Sequence, residues 1–282
     1  MHAVLRMCCP DRPGIVAELS NFIFRNRGNI VHLDQHVDAE ANVFFARIEW
    51  MLEGFLIRRG GIQGAVEDLV RPFEPSFLAL DFTDQRPKVA IFVTKEHHCL
   101  YDLLVRRDGG ELEIDIPLIV GNRDTLRPDA ERFGIPFHHV PIEPETKAAR
   151  EEEELGLLAE AGVDLLVLAR YMQILSPAFL ASFAKPVINI HHSFLPAFVG
   201  ADPYRQAYER GVKIIGATSH YVTEDLDQGP IIEQDVVRVS HRDAVKDLVR
   251  HGRDLEKIVL ARAVWHHVHH RILTYGNKTV VF

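Results

Sequence analysis

Two short stretches hold residues that could do chemistry together: Asn189 and His191, two positions apart, and Asp227. An asparagine amide donates hydrogen bonds without carrying charge. It can therefore hold a carbonyl oxygen as negative charge develops there. A histidine can donate to the same oxygen or move a proton near neutral pH. A nearby carboxylate favours an imidazolium and can orient a water molecule. The set suits attack on an acyl carbon without a covalent enzyme intermediate. No Gly-x-Ser-x-Gly elbow, the mark of acyl-enzyme chemistry, occurs in the chain. The residues alone leave a plainer reading open. Polar side chains at a strand end often only satisfy a loop, and "DLDQGP" around Asp227 is also an ordinary turn.

The elements around these residues say why they would be displayed. "KVAIFVT", "IPLIVGN", "DLLVLAR" and "PVINIHH" are apolar runs separated by helical segments, the pattern of a parallel sheet covered on both faces. Open sheets of this kind bind ligands beyond the carboxyl ends of their strands. Asn189 and His191 stand at such an end. The fold class expected is α/β, with an open, mostly parallel, Rossmann-like sheet and helices on both faces. A smaller unit precedes it. "HAVLRMCC" reads as a strand. "DRPGIVAELSNFIFRNRG" follows as a helix with Pro13 near its start, Gly28 at its end, and Ile15, Leu19, Phe22 and Ile23 on one face. Two alternating strands, a second helix and the strand "SFLALDF" complete a ferredoxin-like βαββαβ order. The expected organisation is residues 1–83, a linker at 84–87, and a second domain over 88–282.

The chain has 282 residues, 47% apolar and 26% charged, as expected of a soluble globular protein. No apolar stretch reaches the roughly 18 residues of a membrane span. "MHAVLRMCCPDRPG" has no apolar core behind a basic head, so no signal peptide is expected. Three cysteines, Cys8, Cys9 and Cys99, make no disulfide framework and fit a reducing cytoplasm. A formal charge of -8 argues against nucleic acid as a partner. Cys8 and Cys9 read as small core residues. "EEEELGLLAEAG", from Glu151, reads as a solvated helix start whose acids suit the helix dipole. His266 and His270 have the i, i+4 spacing of metal ligands on a long helix. With no third ligand and no HExxH arrangement, no metal is expected. His97, His98, His138 and His139 fall near strand ends without an assigned role.

"NIHHSFLPAFVGADPYRQAYERGVKIIGATSHYVTEDLDQGPIIEQ" resembles the catalytic core of folate-dependent formyltransferases. Asn189, His191, Ser193, Leu195, Pro196 and Asp227 match that family's motif. "LARYMQILS" resembles its pterin loop, and "CPDRPGIVAELSNFIFRNRGNIVHLDQHVD" resembles an ACT domain, a small regulatory module that often binds amino acids. The resemblance spans almost the whole chain. It implies 10-formyltetrahydrofolate as substrate, with no further cofactor, and Asn189, His191 and Asp227 as the catalytic set. It implies a folate site of Arg170, Tyr171, Met172, Gln173, Ile174 and Leu175, with Thr223, Glu224 and Asp225 opposite. For the ACT-like unit it implies a homo-oligomer, dimer or tetramer, and an amino-acid effector near Asp11, Gly14 and Asn29, where the plainer reading is a strand-to-helix turn that needs Pro and Gly for its geometry.

The residues add a view of the formyl acceptor. A phosphate-bearing acceptor needs a glycine-rich cradle. After the first strand of the second unit this chain has "VTKEHHCLYDLL", with no glycine and with Glu96 to repel a phosphate, although Lys95 and the two histidines could meet an anion. Water is the simplest acceptor. The expected reaction is hydrolysis to formate and tetrahydrofolate, which would supply formate and balance one-carbon pools for purine synthesis. The competing readings are a formyltransferase with an amine acceptor and a non-catalytic regulator that binds amino acid and folate.

Overall fold

The computed structural model describes residues 1–196 and 203–282; residues 197–202 of the motif lie outside the described residues. The chain forms two compact units. One is Met1–Gln85 with His269–Phe282, and the other is Arg86–Val268.

In the first unit, β1 (His2–Pro10), α1 (Ile15–Arg25), β2 (Ile30–Asp38), β3 (Val43–Met51), α2 (Arg59–Val70) and β4 (Phe77–Phe82) follow the expected βαββαβ order. The antiparallel sheet runs β2-β3-β1-β4. The helices bury Ile15, Leu19 and Ile23, and Ile62, Val66 and Val70, residues four apart and thus on one face. These pack on Ala3, Leu5 and Met7 of β1. Gly28 differs from expectation. Arg27 takes the left-handed backbone that ends the helix (φ 60°). At Gly28 a Cβ would press on Ile23 at 2.6 Å and Phe55 at 3.0 Å, so the glycine serves close packing.

The second unit holds β5 (Val89–Val93), α3 (His98–Asp108), β6 (Ile119–Gly121), α4 (Arg127–Arg132), β7 (Phe137–His139), α5 (Lys147–Ala161), β8 (Leu165–Leu168), α6 (Pro177–Phe183), β9 (Val187–His191), α7 (Pro203–Arg210), β10 (Ile214–Tyr221), β11 (Ile231–Arg238) and α8 (Val245–Val268). Its sheet runs β11-β10-β9-β8-β5-β6-β7. The strands from β9 to β7 are parallel, and β10 and β11 are antiparallel additions. The strand order reverses between β5 and β8, and such a reversal opens a crevice at the strand ends. Leu158 of α5 and Phe179 of α6 pack on Ala90 and Phe92. α8 lies against β9, β10 and β11.

The expected second domain ran to residue 282. Residues 269–282 instead belong to the first unit, where β12 (Ile272–Tyr275) and β13 (Lys278–Val281) form a hairpin. Leu273 packs with Cys8 and Phe45, and the Tyr275 ring lies 4.7 Å from that of Phe45. Arg6 donates to Ile272 O at 2.9 Å and Arg47 to His270 O at 3.0 Å. The hairpin explains why β1 is covered on both faces: helices pack on Ala3, Leu5 and Met7, and the hairpin meets Arg6 and Cys8.

Candidate active site

An open cavity of about 1240 Å³ lies at the carboxyl ends of β5, β6, β8 and β9. Its walls come from Thr94–Glu96, from Asn122 and Arg123, from the loop 170–175, from β9, from the loop after β10, and from α7 and α8. The crevice at the strand-order reversal is part of it: the Met172 amide donates to Thr94 Oγ1 at 2.9 Å, tying the β8 loop to the end of β5.

Asn189 and His191 alternate along β9, so their side chains leave the same face. Asp227 arrives from the loop between β10 and β11. That loop turns back because Gly229 has no Cβ; one there would strike the Tyr221 carbonyl. Asp227 itself takes left-handed backbone (φ 56°), a conformation aspartate tolerates better than most residues. The structure thus brings the three residues together. His191 Nδ1 lies 3.3 Å from Asp227 Oδ2. Its Nε2, on the other side of the ring, is buried and has no hydrogen-bond partner among the described residues.

A fourth residue, His220, was not singled out from the sequence. Antiparallel pairing sets it opposite Asn189. Its Nδ1 lies 2.9 Å from the Tyr221 carbonyl, which can only accept, so Nδ1 carries a proton. In the neutral ring Nε2 then accepts from Asn189 Nδ2 at 3.3 Å. Nε2 also lies 3.6 Å from Asp227 Oδ1. Asp227 is therefore bracketed by two imidazoles. The hydrogen bond from His191, and then the nearby His220, outweigh burial and hold its carboxyl well below the usual carboxylate range. His192 is a different case. Burial, and then the charge of Arg170, lower it to about 4, so it is neutral at physiological pH.

Tyr171–Leu175 line the cavity, as do Thr223 and Glu224. Met172 and Ile174 are exposed at the loop tip. Asp225 does not line the cavity; its carbonyl accepts from Thr223 Oγ1 at 3.2 Å, and the neighbouring Leu226 lines the wall instead. Arg170 lines the cavity too, and its guanidinium is ion-paired with Glu256, Nε standing 3.4 Å from Oε2; Nε and Nη1 make no hydrogen bond among the described residues. Glu256, buried on α8, also accepts from Tyr204 OH at 2.5 Å and pairs with His98 Nε2 at 2.7 Å. Burial alone would raise its carboxyl. The His98 hydrogen bond and the charge of Arg170 hold it at about 2.

His98, Cys99 and Glu256 bring donor atoms within 4.8 Å of one another. Burial keeps the Cys99 thiol protonated and Arg170 already shares Glu256, so this cluster favours hydrogen bonding over a cation. The long helix stops at Val268. His270 takes left-handed backbone and faces Asp81 at 3.4 Å within the first unit, while His266 lies 3.9 Å from Glu233, so the two do not form the expected i, i+4 pair. Near the ACT-like turn, Asp11 N bonds Asn42 O at 3.1 Å, Gly14 precedes α1 with φ 97°, and Asn29 donates to Met51 Sδ at 3.7 Å.

A parallel sheet with an Asn–His–Asp cluster at its strand ends, together with a βαββαβ unit, defines a two-module protein of the formyl-transfer class. The formyl transferase family model matches residues 87–264 and the ACT domain model residues 3–53. A formyltetrahydrofolate deformylase from Synechocystis is 54% identical over 282 residues, covering 100% of this chain and 99% of that protein. A crystal structure of a formyltetrahydrofolate deformylase from Pseudomonas syringae superposes with TM-score 0.96 at 46% identity, covering 100% of this chain and 95% of that one. A glycinamide ribonucleotide transformylase structure from Symbiobacterium toebii covers 70% of this chain and 94% of its own, with TM-score 0.65 and 29% identity. The chain belongs to the formyltetrahydrofolate deformylase family.

Proposed function

We propose that this chain hydrolyses 10-formyltetrahydrofolate to formate and tetrahydrofolate at the Asn189–His191–Asp227 centre. The observation that carries the reading is the unspent donor capacity there. His191 is oriented through Nδ1 by Asp227 and keeps Nε2 for a ligand. Asn189 has a second N–H beyond the one given to His220. These two donors hold the formyl oxygen. Asp227, ionised, orients the attacking water. The attacking water sheds a proton past Asp227 to solvent; collapse of the tetrahedral intermediate breaks the C–N bond, N10 takes a proton from His191 Nε2, and the proton of the formic acid so formed restores His191. No resident cofactor is needed, because the folate carries the formyl group and water accepts it.

The acceptor side supports water. Glu96, at the end of β5, is paired with Arg253 at 2.7 Å, and the glycine-free turn into α3 offers no bare backbone for a phosphate. The tip of the loop 170–175 and the segment 223–226 flank the pterin. The ACT module binds a small amino acid near Asp11, Gly14 and Asn29 and joins subunits into a homo-oligomer. The enzyme works in the cytoplasm, where its formate supports purine synthesis; no helix among the described residues is long and apolar enough to cross a membrane.

Purified protein given 10-formyltetrahydrofolate and no other acceptor is expected to release formate and tetrahydrofolate in equal amounts. Asp227→Asn and Asn189→Ala should each lower turnover by about 10²–10³ while the protein stays folded. Near-full activity in either folded variant defeats the assignment. Formyl transfer that appears only when an amine nucleotide is added defeats the hydrolase reading.

A further inference from the structure

The acidic run at the start of α5 is solvated only in part: Glu152 and Glu153 are exposed, as its composition implies, but the other two are not. Glu151 and Glu154 are both buried. With Lys147 they are spaced i, i+4 and i+7, one face of the helix. All three reach the loop that follows β8. Lys147 Nζ donates to the Ile174 carbonyl at 2.6 Å. Glu151 Oε1 accepts from the Ser176 amide at 2.9 Å, and Glu154 Oε1 from the Tyr171 hydroxyl at 2.8 Å. Between these anchors stand the exposed side chains of Met172 and Ile174. Tyr171 is further pinned by its ring, edge-on to Phe92 at 5.3 Å.

We propose that Lys147, Glu151 and Glu154 are positioning residues that fix the 171–175 loop in its folate-binding shape, with Glu154 acting through the Tyr171 hydroxyl. The inference rests on the reading of this loop as a folate wall. A buried acid is a costly way to hold a tyrosine. Burial, and then repulsion from Glu151 and Glu153, raise the Glu154 carboxyl to about 7 against the pull of the Tyr171 hydrogen bond, and its second oxygen has no hydrogen-bond partner among the described residues. An apolar residue at this position would spare the desolvation cost and leave Tyr171 unanchored. The acid therefore serves the placement of Tyr171.

The test uses the full chain and two readouts: the Kd of tetrahydrofolate by direct titration, and the separate KM and kcat for hydrolysis. Glu154→Leu should raise Kd and KM about tenfold, the loss of one buried hydrogen bond, and leave kcat within about twofold. Glu154→Gln keeps an acceptor for the hydroxyl and should restore most of the affinity. Tyr171→Phe removes the same bond from the other side with the ring retained, and it decides the matter if Glu154→Leu does not fold. Kd within twofold of wild type in Tyr171→Phe, or in a folded Glu154→Leu, overturns the proposal. A fall in kcat with Kd unchanged overturns it as well. Wild-type protein that binds tetrahydrofolate but releases no formate defeats the hydrolase reading and leaves this test standing; wild-type protein that binds no tetrahydrofolate overturns both.

Discussion

Two carboxylates line the same cavity, and both are held below their usual range by histidines, yet their neighbourhoods are built in opposite ways. Asp227 lies between His191 and His220 at 3.3 and 3.6 Å, distances that leave room for adjustment. Its partner His191 keeps an unspent nitrogen. Glu256 is enclosed by His98, Tyr204 and Arg170, with two contacts at 2.7 Å or less, and so it ties together α3, α7, α8 and the end of β8. The first cluster retains capacity for a ligand. The second is drawn in tightly around Glu256, although His98 Nδ1 and Arg170 Nη1 make no hydrogen bond among the described residues. Neither pairing nor an unused donor alone separates the two carboxylates; the looseness of the Asp227 contacts, against the close ties of Glu256, does.

This contrast can be broken by substitution. Glu256→Gln should produce the larger effect on stability. It leaves the Arg170 charge buried without its counter-ion, which should cost about 3–5 kcal/mol in denaturant unfolding at pH 7. The sign with pH follows from the lowered carboxyl. The folded-state value, about 2, is below that of an unfolded glutamate, about 4.5. The stabilisation is therefore complete above about pH 4.5 and is lost as pH falls towards about 2. The gap between wild type and variant should close over that window. An equal gap at pH 7 and pH 3 would refute the ion-pair account. Gly252→Ala should act on the same cluster more weakly. A Cβ there would collide with the Tyr204 hydroxyl and push it from Glu256, costing about 1–3 kcal/mol of overpacking. An unchanged melting temperature would show that Tyr204 has somewhere else to go.

Much of the candidate site was legible in the sequence because its signal is local. Asn189 and His191 end an apolar strand with the alternation that shares a face, and Asp227 precedes a glycine turn. His220 was not legible. Its role depends on the antiparallel register that sets it across from Asn189, and nothing near "TSHYV" announces that pairing. Glu256 sits in the middle of a long amphipathic helix, where a lone acid looks like surface. Glu151 and Glu154 misled for a related reason: a charge run resembles a solvated face unless its i, i+4 and i+7 members are tested against a neighbouring loop. The split unit was legible from its alternating strands. The return of residues 269–282 to that unit was not, because a short terminal hairpin carries no mark of which sheet it will cover.

The central claim is that water attacks the formyl carbon at the Asn189–His191–Asp227 centre. Turnover of 10-formyltetrahydrofolate in ¹⁸O-labelled water, with formate analysed by mass spectrometry, tests it most directly. The account predicts that formate from the wild type carries one solvent oxygen, and that Asp227→Asn slows labelled and total formate equally. Formate free of label, or labelled formate produced at the same rate without Asp227, would contradict it.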